Sequence, residues 1–245
     1  MTFEFILLLV AGAAAGGFIN GLAGFGTSLF ALGWWLQIMP PVQAVAIVLA
    51  MSVFSGIQGV VLVRQSINWP RLGRFLVPAI CGIPLGLYLL TVLDPKYLKL
   101  VIAGFLILYG GFFTFRKDLP TMTRPTPIID GVIGFLGGIL GAAAGLSGAL
   151  PTMWCSLRPW QKAEQRAVLQ PFNVTILALS AFLLALQGAY TLETLIIIGV
   201  ALPVTMVSAQ IGIMVFKRLE DDQFRRLLIA LMLVSGLVLM IRELI

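Results

Sequence analysis

The chain has 245 residues, 60% hydrophobic and 11% charged, with a mean hydropathy of +1.04, which excludes an ordinary soluble domain and indicates an integral membrane protein. The net charge of +6 does not make a nucleic-acid binder, because the basic residues are scattered among loops and no soluble basic face forms. There is no histidine, which removes His-based acid–base catalysis and most zinc or haem sites, so no catalytic residue, metal ligand or cofactor is expected.

The start, MTFEFILLLVAGAAAGG, lacks a basic n-region, its only early charge being Glu4. Its apolar run continues far past signal length, so it reads as a retained membrane segment. No charged residue occurs from Phe5 to Val63. A charge at the bilayer centre costs about 2.5–3.5 kcal/mol on insertion scales, so such runs read as spans. Charges and prolines predict helices at about 3–20, 22–38, 42–63, 72–93 and 97–115. The polar, proline-rich loop RKDLPTMTRPTP (116–127) is the midpoint, dividing a first repeat (1–115) from a second (128–245). Helices are then expected at about 128–144, 146–157, 166–187, 191–216 and 223–243. Cys81 and Cys155 lie in apolar surroundings and read as small hydrophobes.

The two halves carry the same series of elements. An offset of 121 residues places Gly16, Gly17, Ala23, Gly24 and Leu29 on Gly137, Gly138, Ala144, Gly145 and Leu150. An offset of 126 places Gly86, Leu93 and Gly110 on Gly212, Leu219 and Gly236, Asp94 on Glu220, and Lys99 on Arg225. Two blocks in the same order point to a duplication. The basic maxima fall on loops 64–74 and 116–124 in the first half, and on the alternate loops 158–166 and 217–226 in the second. If those loops face the cytoplasm, the halves are inverted and both termini lie outside. Lys96 and Lys99 run against this pattern.

Inversion needs an odd number of crossings per half. Residues 128–157 would span about 45 Å as helix, whereas two crossings of a hydrocarbon core need about 60 Å. Each glycine-rich pair is therefore expected as two short helices meeting near mid-depth, re-entrant or steeply broken, followed by three transmembrane helices. The fold class is all-α, with two inverted repeats; eight plain spans with parallel halves is the alternative.

Irregular backbone at membrane depth needs protein or a water-filled cavity around it. Helix propensity is lowest in NGLAGFGTS (20–28) and AAAGLSGALP (142–151). A break there frees N–H groups at the start of the next short helix, and such termini bind anions without a side-chain cation. The candidate substrate-binding residues are Asn20, Gly24, Phe25, Gly26, Thr27 and Ser28 in the first break. Gly145, Leu146, Ser147 and Gly148 are their counterparts in the second. Thr27, Ser28 and Ser147 are placed to act as N-caps. Gln58, Gln170, Asn173 and Gln210 are amides inside apolar runs; such groups either glue helices together or donate to an oxyanion. Glycines at spacing four serve close helix packing instead. Arg64 and Arg158 read as loop charges, and Trp34, Trp35, Trp69, Trp154 and Trp160 as an interfacial belt.

With paired glycine-rich segments opening each half and a polar central loop, the chain resembles the TauE/SafE family of sulfite exporters over most of its length. Phe30 departs from the family pattern, standing where the second copy has Pro151. The resemblance implies transport of a sulfur-containing anion, such as sulfite, a sulfonate like sulfoacetate, or thiosulfate, across the bacterial cytoplasmic membrane. Export by alternating access is the leading expectation; an uncoupled anion channel and a membrane sulfur-transfer enzyme are the alternatives. No Walker-type ATP motif is present. The expected partners are the anion and the lipid bilayer, with no nucleic acid; a homodimer is left open.

Overall fold

The computed structural model describes residues 3–92 and 122–244, with isolated positions between 96 and 114. The helix expected at 97–115 and the loop from 116 to 121 lie outside these residues apart from those positions, as do Leu93, Asp94 and Lys99. The described chain is helical: α1 (Phe3–Ala23), α2 (Thr27–Trp35), α3 (Pro41–Val63), a 3₁₀ turn (Arg64–Ser66) and α4 (Trp69–Val92) precede the loop. After it come α5 (Pro127–Ala144), α6 (Ala149–Ser156), α7 (Lys162–Leu186), α8 (Leu192–Arg218) and α9 (Asp221–Leu244). The starts follow local chemistry. Proline opens α3 and α5, where its missing N–H costs nothing. A capping box of Gln161 and Glu164 opens α7, and the Thr191 hydroxyl accepts from Thr194 N to open α8. Among the described residues six helices, α1, α3, α4, α5, α7 and α8, are long and apolar enough to cross a membrane.

α2 and α6, at 9 and 8 residues, do not reach across a core of about 30 Å, since they measure about 12–14 Å. Each folds back along the helix before it. Trp35, at the end of α2, donates from Nε1 to Leu9 O at 3.2 Å, beside the first half of α1. Trp154, in α6, donates from Nε1 to Asp130 Oδ1 at 2.7 Å, in the first turn of α5. This corrects the expected pair of short helices: each pair is a long helix, of 21 or 18 residues, and a short one turned back on it. It also corrects Trp35, which is 0% exposed and belongs to the core rather than to an interfacial belt. Trp69, by contrast, is 70% exposed.

α3 and α7 form the centre. From Ala44 to Leu49 and from Gln165 to Asn173 every residue is buried, as expected of a helix surrounded on all sides. The two run antiparallel, with Gly56 against Val174 and Gly59 against Gln170. Around them α1 lies along α8, and α5 lies along α4. A Cβ at Gly17 would lie 2.5 Å from Thr205 O, and one at Gly138 would lie 2.0 Å from Ala79 O. A Cβ at Gly212 would meet Phe18 O at 2.2 Å, and one at Gly86 would meet Ile139 O at 2.3 Å. Small residues thus let backbones touch where lipid offers no hydrophobic drive for association. Each contact maps onto its counterpart through the offsets 121 and 126 found in the sequence.

One end of the bundle gathers the charges. Arg71 pairs with Glu164 at 3.5 Å, linking α4 to α7. The Lys162 backbone N–H donates to Asp221 Oδ1 at 3.2 Å, and its ammonium donates to Leu219 O, tying α7 to the junction of α8 and α9. Arg158 lies in the loop between α6 and α7, as expected, but is not a free surface charge. It is 6% exposed, 3.4 Å from Asp130, and donates to the Arg124 carbonyl at 2.6 Å and to the Thr126 hydroxyl.

Candidate functional site

The two chain reversals meet. Gly24 and Gly26 have φ of 84° and 99°, and Gly145 has φ of 66°, values that a side chain disfavours. Space enforces the same choice at Gly145, where a Cβ would lie 2.2 Å from Ser28 Oγ. A small cavity lies between the reversals, about 10 Å³ in volume, room for roughly one water. Of the residues expected at a site, Asn20, Phe25, Gly26, Thr27, Gly145, Leu146, Ser147, Gly148, Gln170 and Asn173 line it. Leu29, Ser52, Ala149 and Leu177 complete the lining. Ser52 is the 121-residue counterpart of Asn173, and that offset was the signal that would have added it.

Gly24 and Ser28 stand behind the wall and join the two halves. Asn173 Nδ2 donates to Gly24 O at 2.8 Å, and Ser28 Oγ donates to Gly145 O at 2.7 Å. Ser147 Oγ donates to Asn173 Oδ1 at 2.7 Å, so one amide holds both reversals. Asn20 spends its N–H groups on α3, on Ser55 Oγ at 2.6 Å and Ser52 O at 3.3 Å. Gln58 and Gln210 are not brought to the cavity. Gln58 reaches Met206 on α8 at 3.3 Å, and Gln210 is exposed on the outside of α8.

The N-cap expectation is corrected. The capping positions are Gly26 and Gly148, and neither short helix has a side-chain cap. The hydroxyls of Ser28 and Ser147 turn away to make the cross-links above, so the first-turn N–H groups keep no side-chain acceptor. Among the described residues no hydrogen-bond acceptor is found for the N–H groups of Thr27, Ser28 and Leu29, or of Ser147, Gly148 and Leu150. Pro151, in the first turn of α6, has no N–H to offer, whereas its counterpart Phe30 bonds Gly26 O at 3.3 Å. The Thr27 hydroxyl is buried and has no partner among the described residues.

Among the described residues, no charged side chain lines the cavity. Arg166, which sequence reasoning counted with the loop charges, bonds the lining residue Gln170. It is 0% exposed and lies under the first reversal. Its Nη2 donates to Gly21 O at 2.6 Å and its Nη1 to Leu22 O at 3.2 Å, so it caps the negative end of α1. Phe216 covers it, with the guanidinium 4.3 Å from the ring centroid. Nε donates to Gln170 Oε1 at 3.1 Å. A guanidinium only donates, so this bond fixes the flip of the amide and leaves the Gln170 NH₂ as a donor. A charge at the start of a predicted span is counted with the loops; only the return of α1 onto α7 reveals the burial.

Among the described residues, six helices long and apolar enough to cross a membrane, packed around a small cavity between two backbone reversals, define a multi-pass membrane protein. The model of the Sulfite exporter TauE/SafE family matches residues 8–239, and the chain belongs to that family. It is therefore a membrane transporter of the sulfur-anion class. No curated protein and no solved structure matches the chain.

Proposed function

We propose that the cavity is the substrate chamber, and that the protein carries a small sulfur oxyanion or sulfonate, such as sulfite, sulfoacetate or thiosulfate, outward across the bacterial inner membrane. The carrying observation is that two short-helix N-termini with uncommitted N–H groups face one chamber that has no charged side chain. Partial positive charge from the two termini attracts an anion, and the absence of a fixed cation lets it leave again. The unpartnered Thr27 hydroxyl and the oriented Gln170 amide supply further donors.

In this reading the halves are inverted repeats and α2 and α6 re-enter from opposite faces. The antiparallel run of α3 and α7, which correspond through the 121 offset, supports it, as do the matched contacts of α1 with α8 and α5 with α4. The basic end of the bundle faces the cytoplasm and both termini lie outside. The chamber with room for about one water is the empty, closed state; parting one reversal from the other widens it and admits the anion from one side at a time. An interior-negative potential drives an anion outward without a coupling ion.

The test is a binding screen of the purified protein with sulfite, sulfate, thiosulfate, sulfoacetate and carboxylate analogues, followed by counterflow in proteoliposomes. Gly26→Leu and Ser147→Ala are expected to weaken sulfur-anion binding at least tenfold and several-fold, respectively, with the fold retained. Unchanged affinity in both would move the site away from the reversals. Electrodiffusion without counterflow would replace the carrier with a channel.

A further inference from the structure

A second hollow lies at the charged end of the bundle, among the first turns of α4 and α5 and the end of α6. It measures about 150 Å³, more than ten times the central cavity, and is lined by Arg71, Arg74, Thr123, Asp130, Arg158 and Trp160, among others. A polyatomic group fits where the central cavity holds about one water. Its cations are unevenly committed. Asp130 is taken up by Arg158 at 3.4 Å, by Trp154 Nε1 at 2.7 Å and by the Thr126 hydroxyl at 3.2 Å. Glu164 takes Arg71. Arg74 is exposed and has no acidic partner among the described residues. The lining therefore carries three guanidinium groups against one carboxylate.

Two of those groups are rigidly held. Arg71 lies over the Trp160 ring at 4.2 Å, and Arg158 is clamped by carbonyls, a hydroxyl and Asp130. The Arg158 Nε is buried, and no acceptor for it exists among the described residues. A buried charged donor without a partner is expensive, and it sits beside an uncommitted arginine in a hollow of adequate size. Fixed guanidinium forks suit the oxygens of a phosphate-type group. Trp69, in the first turn of α4, puts this end at the level of a membrane–water interface.

We infer that this hollow is a second oxyanion site, separate from the central chamber, which takes a phosphate-type group from an acidic phospholipid headgroup or from a soluble anion of the same chemistry. The full chain in phosphatidylcholine nanodiscs tests it in two arms. In one, phosphatidylglycerol is mixed in and the retained lipid is counted by native mass spectrometry. In the other, inorganic phosphate is titrated calorimetrically. The wild type is expected to retain phosphatidylglycerol over phosphatidylcholine, or to bind phosphate. Arg74→Glu is expected to lower that binding at least tenfold and Arg71→Gln several-fold, with unfolding temperatures confirming the fold. Gly26→Leu leaves it unchanged. Lipid preference alone identifies the headgroup as the source; phosphate binding alone identifies the soluble anion. No preference and no phosphate binding in the wild type, or wild-type binding by both arginine variants, overturns the inference. Neither arginine lines the central chamber, so that failure leaves the transport reading intact.

Discussion

The two reversals look alike in sequence yet are closed by different means. In the second, the backbone closes its own turn: Gly145 N–H bonds Gly141 O at 2.8 Å and Leu146 N–H bonds Leu140 O at 3.1 Å. In the first, Gly24 N–H bonds Asn20 O at 2.8 Å, while the carbonyls of Gly21 and Leu22 are taken by Arg166 from the other half of the chain. The 121-residue counterpart of Arg166 is Val45, so the second reversal has no such brace. A duplicated element thus keeps its shape while its support shifts from local backbone to a distant side chain. The first reversal depends on α7 for its integrity; the second depends chiefly on its own turn.

The sharpest way to break this comparison is Arg166→Met. It strips two buried carbonyls of their charged donor, and about 2–6 kcal/mol of stability is expected to go, at about 1–3 kcal/mol for each buried acceptor left unsatisfied. Hydrogen exchange should rise across residues 18–24 while 140–146 stay protected; a uniform rise would show that the two reversals share one support. Asn173→Ala removes the amide that holds both, so protection should fall at Gly24 and at Leu146 together, with a loss of about 1–3 kcal/mol. Gly145→Ala meets a left-handed backbone and the Ser28 hydroxyl, and is expected to cost about 1–3 kcal/mol, seen as a lower midpoint in denaturant. Ser28→Ala deletes one hydrogen bond and should cost about 1 kcal/mol, the smallest effect. In the double variant Ser28→Ala/Gly145→Ala the costs should fall short of additive, because the alanine then meets a smaller neighbour.

The position of the breaks was legible in the sequence, because glycine density inside a charge-free run has few physical uses and the same motif returns 121 residues later. The helical class and most helix limits followed from the apolar runs. The bracing was not legible. Arg158 and Arg166 stand near helix ends, where hydropathy and charge counts assign them to loops, and their burial arises from segments more than 25 residues away in sequence. Hydroxyls beside a helix start suggest caps; Ser28 and Ser147 instead had a facing reversal within reach, which no local pattern encodes. Gln58 and Gln210 share the composition of the site but lie on faces of α3 and α8 that turn elsewhere, and helical phase alone does not say which neighbour a face will meet.

The Arg166 brace also has a consequence for the order in which the protein is made. The carbonyls at the end of α1 emerge about 140 residues before the arginine that satisfies them, a delay of roughly 7–30 s at about 5–20 residues per second. During that interval the turn of the nascent first half lacks the donor that the finished fold gives its two carbonyls. A newly made amino-terminal half should therefore need shelter, from the insertion machinery or from water, until α7 arrives. The second half meets no such wait, since its reversal closes within seven residues of its own backbone, Leu140 to Leu146.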